Sequence, residues 1–290
     1  MTVKPKSLIV DVYGTYVRYR GGEIGLQQLI ELGKIFGINE QSMRMTVSRL
    51  KKENWLQARR VHRHAYYAIT PRSARLLEEG RRRIFTRNVE DWSGQWYMVI
   101  YNVPESARKE RERLRQVLVW LGFGMLAPST WISVADRFDE LKAVLDEDPY
   151  RANIEMLTVR SEGVERDREF AARCWNLEEV GAKYQQFIER QDPINLDQMS
   201  PESAFIARVE LVHDYRRFVH VDPDLPPALL PPNWPGQEAH RLFLDRYRSL
   251  ERLANEYFDR VFVPPPPIDE DAPDREEVAA SLGDAGTMHA

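Results

Sequence analysis

The sequence predicts an α+β protein in three parts: a winged helix-turn-helix over residues 1–90, a ferredoxin-like domain over 91–162 and a helical C-terminal region over 163–263. Three observations lead there. Helical apolar spacing recurs three times before two strand-like runs in the first 70 residues. Strands and amphipathic helices alternate between 92 and 160, and from Asp167 onward the spacing is helical throughout. Residues 264–290 open on Pro264–Pro267 and an Ile-Asp-Glu-Asp run, and read as a disordered acidic tail.

In chain order, Leu8, Val12, Tyr16 and Tyr19 set a helix over Ser7–Tyr19, stopped by Gly21-Gly22. Leu26, Leu29, Ile30 and Ile35 set a second over Gly25–Phe36, closed by Gly37. Asn39 caps a third that runs to about Glu53. Trp55–Arg60 and Ala65–Thr70 read as strands joined by Val61-His-Arg-His, and Pro71 opens a helix to about Arg87. The middle part follows as a strand at Gln95–Tyr101, a helix at Ser106–Leu121, a strand near Ala127–Val134, a helix at Asp136–Leu145 and a strand at Ile154–Arg160. Helices are expected over Asp167–Arg190, Pro201–Val221 and Gln237–Phe262, with the proline-rich link Asp222–Pro235 before the last.

The single cysteine, Cys174, excludes an internal disulfide and suits a reducing compartment. No apolar run approaches the roughly 20 residues that span a bilayer, and the N-terminus lacks a signal-peptide pattern, so a cytoplasmic protein with no membrane partner is expected. The net charge of -4 conceals a strong asymmetry. Residues 1–87 carry 18 Lys and Arg against 7 Asp and Glu, whereas the other 203 carry 23 against 38. A polyanionic partner for the basic end accounts for such a split.

The third helix shows how that partner would be read. Met43, Val47 and Leu50 share one face and pack inward. Gln41, Ser42, Met45, Ser48, Arg49 and Lys52 occupy the opposite face, flanked by Arg44 and Thr46. Arginine can pair bidentately with guanine and amides with adenine, so this carboxylate-free face suits a DNA major groove. The hairpin adds Arg59, Arg60, His62, Arg63 and His64, placed to reach phosphates or the minor groove. Arg81-Arg-Arg83 has a plainer reading as the favourable basic last turn of a helix.

Tyr13-Gly14, Arg20-Gly-Gly-Glu-Ile24, Arg44 with Ser48-Arg-Leu50, Trp55-Leu56, Trp96, Trp120–Ser129, Cys174-Trp175, Asp214-Tyr-Arg-Arg217 and Asp222–Gly236 together resemble the PaaX family, repressors of phenylacetic acid degradation operons. The resemblance spans about residues 7–260 and implies a winged-helix, ferredoxin-like and helical three-part chain acting as a homodimer on double-stranded operator DNA. It also implies an inducer, an aryl-CoA thioester such as phenylacetyl-CoA or a related aromatic acid. Tyr215, Arg216, Arg217 and Trp234 are candidates for holding it, since thioester phosphates need cations and the acyl group needs aromatic walls. The alternative is that these arginines pair with acids between helices while Trp234 packs as core.

The middle part also looks like the CRISPR-associated Cas2 proteins, which raises the rival reading of a metal-dependent nuclease. That chemistry wants an aspartate where Val99-Ile-Tyr-Asn-Val103 places Asn102, and an amide is a poor Mg²⁺ ligand. His213 and His220 stand seven residues apart, unlike a helical metal pair, and Gly122 and Gly124 lack the rest of a dinucleotide fingerprint. No catalytic residue, metal site or cofactor is expected. The remaining alternative is a protein-interaction adaptor that never touches DNA.

Overall fold

The computed structural model describes residues 3–87, 91–147, 153–191 and 198–267. In its first part, α1 (Pro5–Thr15), α2 (Leu26–Lys34) and α3 (Glu40–Lys52) precede a hairpin of β2 (Leu56–Val61) and β3 (His64–Ile69), and α4 (Pro71–Phe85) follows. A short strand absent from the periodicity, β1 (Glu23–Gly25), pairs with Tyr66–Ala68 to give a sheet ordered β1-β3-β2. Three residues cannot show alternation, and the partner is remote in sequence. The helix expected over Ser7–Tyr19 ends at Thr15. Tyr16 leaves helical geometry (φ -127°) as its ring enters the core, and Val17–Tyr19 tighten into a 3₁₀ turn.

The second part runs β4 (Gln95–Asn102), α5 (Arg108–Trp120), β5 (Gly124–Ala127), β6 (Thr130–Ser133), α6 (Phe138–Glu147), β7 (Asn153–Arg160). Its sheet is antiparallel in the order β5-β6-β4-β7, the ferredoxin-like plan. The single strand expected near 127–134 is in fact a hairpin that turns at Pro128-Ser129, with Ser129 at φ 64°. Val99, Tyr101, Leu114, Leu118, Trp131 and Leu141 fill the core between this sheet and its helices. The opposite face, around Trp96 and Ile132, is covered by α7 (Val164–Cys174) and by Leu225 and Leu229 of the proline-rich link.

The third part adds α8 (Leu177–Arg190), α9 (Pro201–Tyr215), α10 (Gly236–Ser249) and α11 (Glu251–Val261). The continuous helix expected over Asp167–Arg190 is therefore broken. Trp175 is extended (φ -133°), and the Asn176 side chain caps α8 by accepting from the Glu179 N–H at 3.1 Å. The break lays Trp175 and Cys174 on Gly124 so closely that a Cβ there would sit 2.5 Å from the indole. Only glycine fits.

One apolar core runs from α1, α2 and α3 into α8, α9, α10 and α11. Tyr16 stacks on Phe258 at 4.7 Å and lies 5.0 Å from Phe205, contacts worth about 0.5–1.5 kcal/mol each beyond burial. Beside them the buried Asp11 carboxylate meets Arg216 at 2.8 Å and His213 at 3.2 Å. The basic N-terminal part is thus clamped to the C-terminal helices. The tail beyond Pro267 lies outside the described residues.

Candidate nucleic-acid interface

Helix α3 is built as its spacing requires. Asn39 accepts from the Ser42 N–H at 2.8 Å, while Met43, Val47 and Leu50 are buried. Gly33 of α2 lets the Met43 side chain approach; a Cβ there would lie 2.5 Å from its terminal methyl. Gln41, Arg44, Met45, Ser48, Arg49 and Lys52 face solvent, with Met45 66% exposed, and Ser42 is half-buried. Thr46 departs from expectation. It is buried, and its hydroxyl donates to the Ser42 carbonyl at 2.8 Å, so it belongs to the packed face and has no place among the outward readers.

The cations of α3 differ in how they are held. Arg44 pairs with Glu40 one turn back at 2.7 Å, an exposed pair worth about 0.3–0.5 kcal/mol and readily exchanged for a phosphate. Arg49 reaches Glu53 only at 3.9 Å, because that carboxylate is taken by Lys6 at 2.7 Å. The Lys6 hydrogen bond, with help from its charge and that of Arg49, holds Glu53 below the usual carboxylate range.

The hairpin sorts its basic residues too. Arg59 is committed elsewhere: it grips Glu23 of β1 with two nitrogens at 2.7–2.9 Å, donates to the Pro266 carbonyl at 2.8 Å and lies over Tyr66. A side chain held that firmly secures β1 and is removed from the expected DNA contacts. Arg60, His62, Arg63 and His64 remain exposed, with no carboxylate partner among the described residues. His62 turns the two-residue loop with φ 54°, a conformation histidine adopts more readily than most residues.

These side chains meet. A groove of about 500 Å³ is lined by Arg44 of α3, by Arg60, His62, Arg63 and His64 of the hairpin, and by Gln27 and Gln28 at the start of α2. The two glutamines were missed in sequence reasoning. The only available signal was their position at the N-terminus of α2, just after a glycine. Gln28 is tied to the Gly25 N–H and the Val263 carbonyl, which leaves exposed Gln27 as the freer amide.

The residues expected to hold a ligand do not converge. Tyr215 is buried, stacked on Phe243 at 4.2 Å, with its hydroxyl 3.0 Å from His240 Nδ1. Arg216 is held by Asp11, Arg217 is exposed with only a 3.5 Å contact to His213, and Trp234 packs against Gly181 and Tyr184. Packing and ion pairing between helices claim three of the four. Among the described residues no three His, Cys, Asp or Glu side chains group to hold a metal ion, and Asn102 is exposed at the end of β4. No described helix is long and apolar enough to cross a membrane.

His240 carries a pH dependence. Burial, then the Arg87 charge, pushes its ring down to about 4, so it stays neutral with Nδ1 3.0 Å from the Tyr215 hydroxyl. In the unfolded chain it titrates near 6.5, hence between these values the unfolded state binds the additional proton and stability falls as pH falls. Thermal melts from pH 7 to pH 5 should show a shallower loss for His240→Gln than for the parent; equal slopes would discount the ring.

Three family models match the chain in succession. They are a PaaX-like protein model over residues 4–73, the PaaX protein central Cas2-like domain over 89–171 and the PaaX-like protein C-terminal domain over 175–260. The chain is 32% identical over 263 residues to the transcriptional repressor PaaX of Escherichia coli, covering 87% of this chain and 82% of that protein. An uncharacterized protein from Mycobacterium tuberculosis shares the fold at a TM-score of 0.57 and 20% identity, covering 89% of this chain and 99% of the other.

Proposed function

Since the chain belongs to the PaaX family, we propose that it is a ligand-responsive, DNA-binding repressor of an aromatic-acid catabolic operon of phenylacetate type. Homology to a transcriptional repressor supports the repressor role. In this reading α1, α2, α3 and the β2-β3 hairpin form a winged helix-turn-helix, with α3 in the major groove of double-stranded operator DNA. Gln41, Ser42, Arg44, Met45, Ser48, Arg49 and Lys52 face the bases and phosphates; Arg60, His62, Arg63 and His64 clamp the flanking backbone.

One observation carries the proposal: Arg44 of α3 and the exposed basic side chains of the hairpin line a single groove without competing carboxylates on its hairpin side. The protein would act in the cytoplasm as a homodimer whose two α3 helices enter successive major grooves of a palindromic site. An aryl-CoA thioester or a related aromatic acid would release it. The coupling required is modest, about 1–3 kcal/mol for a 5- to 150-fold loss of affinity.

Gel shifts on the DNA upstream of its own gene test this. Specific retardation is expected, with affinity falling linearly in log[salt] and lost on adding an aryl-CoA thioester or free aromatic acid. Absence of retardation at low salt would return the protein to the adaptor reading.

A further inference from the structure

After its last helix the chain runs directly beside the basic groove. Phe262 is extended (φ -80°, ψ 119°) at the end of α11, and Pro264–Pro267 have no N–H with which to continue a helix. What these residues offer is carbonyl oxygens, and two are taken. Gln28 Nε2 donates to the Val263 carbonyl at 3.0 Å, and the Arg59 guanidinium donates to that of Pro266 at 2.8 Å. The Val263 side chain is 61% exposed, so at that residue the carbonyl, not apolar burial, holds the chain. Both anchors belong to the groove's edge: Gln28 lines it, and Arg59 lies over Tyr66, which lines it too. The same groove is walled by Arg44, Arg60, His62, Arg63 and His64, the last four without a carboxylate partner among the described residues. Val263–Pro267 is thus a strap tied to the wing.

The sequence beyond the strap has the opposite charge. Residues 268–290 carry seven Asp and Glu against Arg275 alone, and six of the seven fall within the nine residues Asp269–Glu277. At about 3.3 Å per extended residue, such a run spreads its carboxylates over roughly 30 Å. That is about 5 Å per charge, close to the roughly 3.4 Å per phosphate of one DNA strand. Asp269 stands three residues past Pro266, whose carbonyl is anchored. About 10 Å of chain therefore separates the first carboxylate from the groove's edge, a distance that needs no second copy to supply it.

We propose that the acidic segment Asp269–Glu277 docks in the basic groove of its own chain as a stand-in for DNA phosphates, so that operator DNA must displace it. The proposal rests on the DNA-binding reading above and adds the regulation of that site. Tethering through a few residues raises the effective concentration of the segment to about millimolar, so a contact of only about 0.1 mM affinity fills the groove most of the time. Apparent DNA affinity falls by the fraction of molecules left open, which for such a contact is about 3- to 30-fold. The carboxylates compete for phosphate contacts and read no bases, so specific and non-specific DNA lose affinity by the same factor. The segment sets a threshold against DNA in general.

Fluorescence anisotropy with operator and random-sequence duplexes tests this on three proteins. They are the full chain, a chain stopped after Pro267, and a full-length chain with Asp269→Asn, Glu270→Gln, Asp271→Asn, Asp274→Asn, Glu276→Gln and Glu277→Gln. Both variants should bind both duplexes about 3- to 30-fold tighter at low salt, with the ratio between duplexes unchanged. The gain should shrink as salt rises, since the intrachain contact is screened along with the DNA contact. A synthetic peptide of residues 268–290 should weaken DNA binding by the stopped chain only at about millimolar concentration. Inhibition by micromolar peptide would make a second copy as good a donor and overturn the intrachain assignment. A gain in the stopped chain that the neutralised chain lacks would mean that bulk, not charge, blocks the groove, and would overturn the proposal. Equal operator affinity in all three proteins would overturn it and leave the DNA-binding reading standing. Failure of all three to bind either duplex at low salt would overturn both.

Discussion

Arg49→Ala is expected to lower operator affinity about 5- to 150-fold while leaving the melting temperature unchanged, the loss of about 1–3 kcal/mol that one bidentate guanine contact supplies. The side chain is 65% exposed and its nearest carboxylate, Glu53, stands 3.9 Å away and already serves Lys6. Removing it therefore costs the free protein almost nothing, and the whole effect should fall on the complex. Arg44→Ala should cost less, because the parent gives up the Glu40 pair on binding. Arg63→Ala differs in kind: at the hairpin tip it would meet phosphate, so affinity should fall uniformly across sequences and the salt slope shrink by about one. Competitive gel shifts with single-base operator variants separate these cases. Unchanged affinity and specificity in Arg49→Ala would remove α3 as the reading helix.

The contrast with Arg59 shows what could be read in advance. Basic character, helical spacing and the Asn39 cap placed α3 and its outward side chains from sequence alone, since all are local properties of a short segment. Whether a cation is free is not local. Arg59 looked identical to Arg60 until β1 came beside β3 and brought Glu23 to it. Thr46 sits at the edge of the helix face, where small rotations decide burial, and its back-bond to Ser42 was as available to it as an outward pose. The ligand candidates are dispersed for a related reason. Nearness in sequence grouped Tyr215, Arg216 and Arg217, but helical rotation sends them to a core, to Asp11 and to solvent.

Asp167→Ala is expected to cost about 3–5 kcal/mol, which for a chain of this size is roughly 10 °C in melting temperature. Asp167 is 2% exposed and has no cation within ion-pairing distance among the described residues. Its carboxylate is held by neutral donors, accepting from Trp92 Nε1 at 2.7 Å, Trp96 Nε1 at 2.6 Å and Ser161 Oγ at 2.6 Å. Its place in the first turn of α7 adds the favourable helix dipole. Alanine takes the acceptor from two indole N–H groups and a hydroxyl, of which the Trp96 N–H is fully buried while Trp92 and Ser161 are half-buried. Asparagine keeps one oxygen but turns an NH₂ toward a donor, so an intermediate loss is expected. Because both tryptophans report from the site, urea unfolding followed by their fluorescence measures the effect directly. The same carboxylate pins α7 to the β4 face of the central sheet and so fixes Trp175, at the end of α7, against Gly124. A cost below about 1 kcal/mol would mean that the indole donors find other partners and that apolar burial alone holds α7 in place.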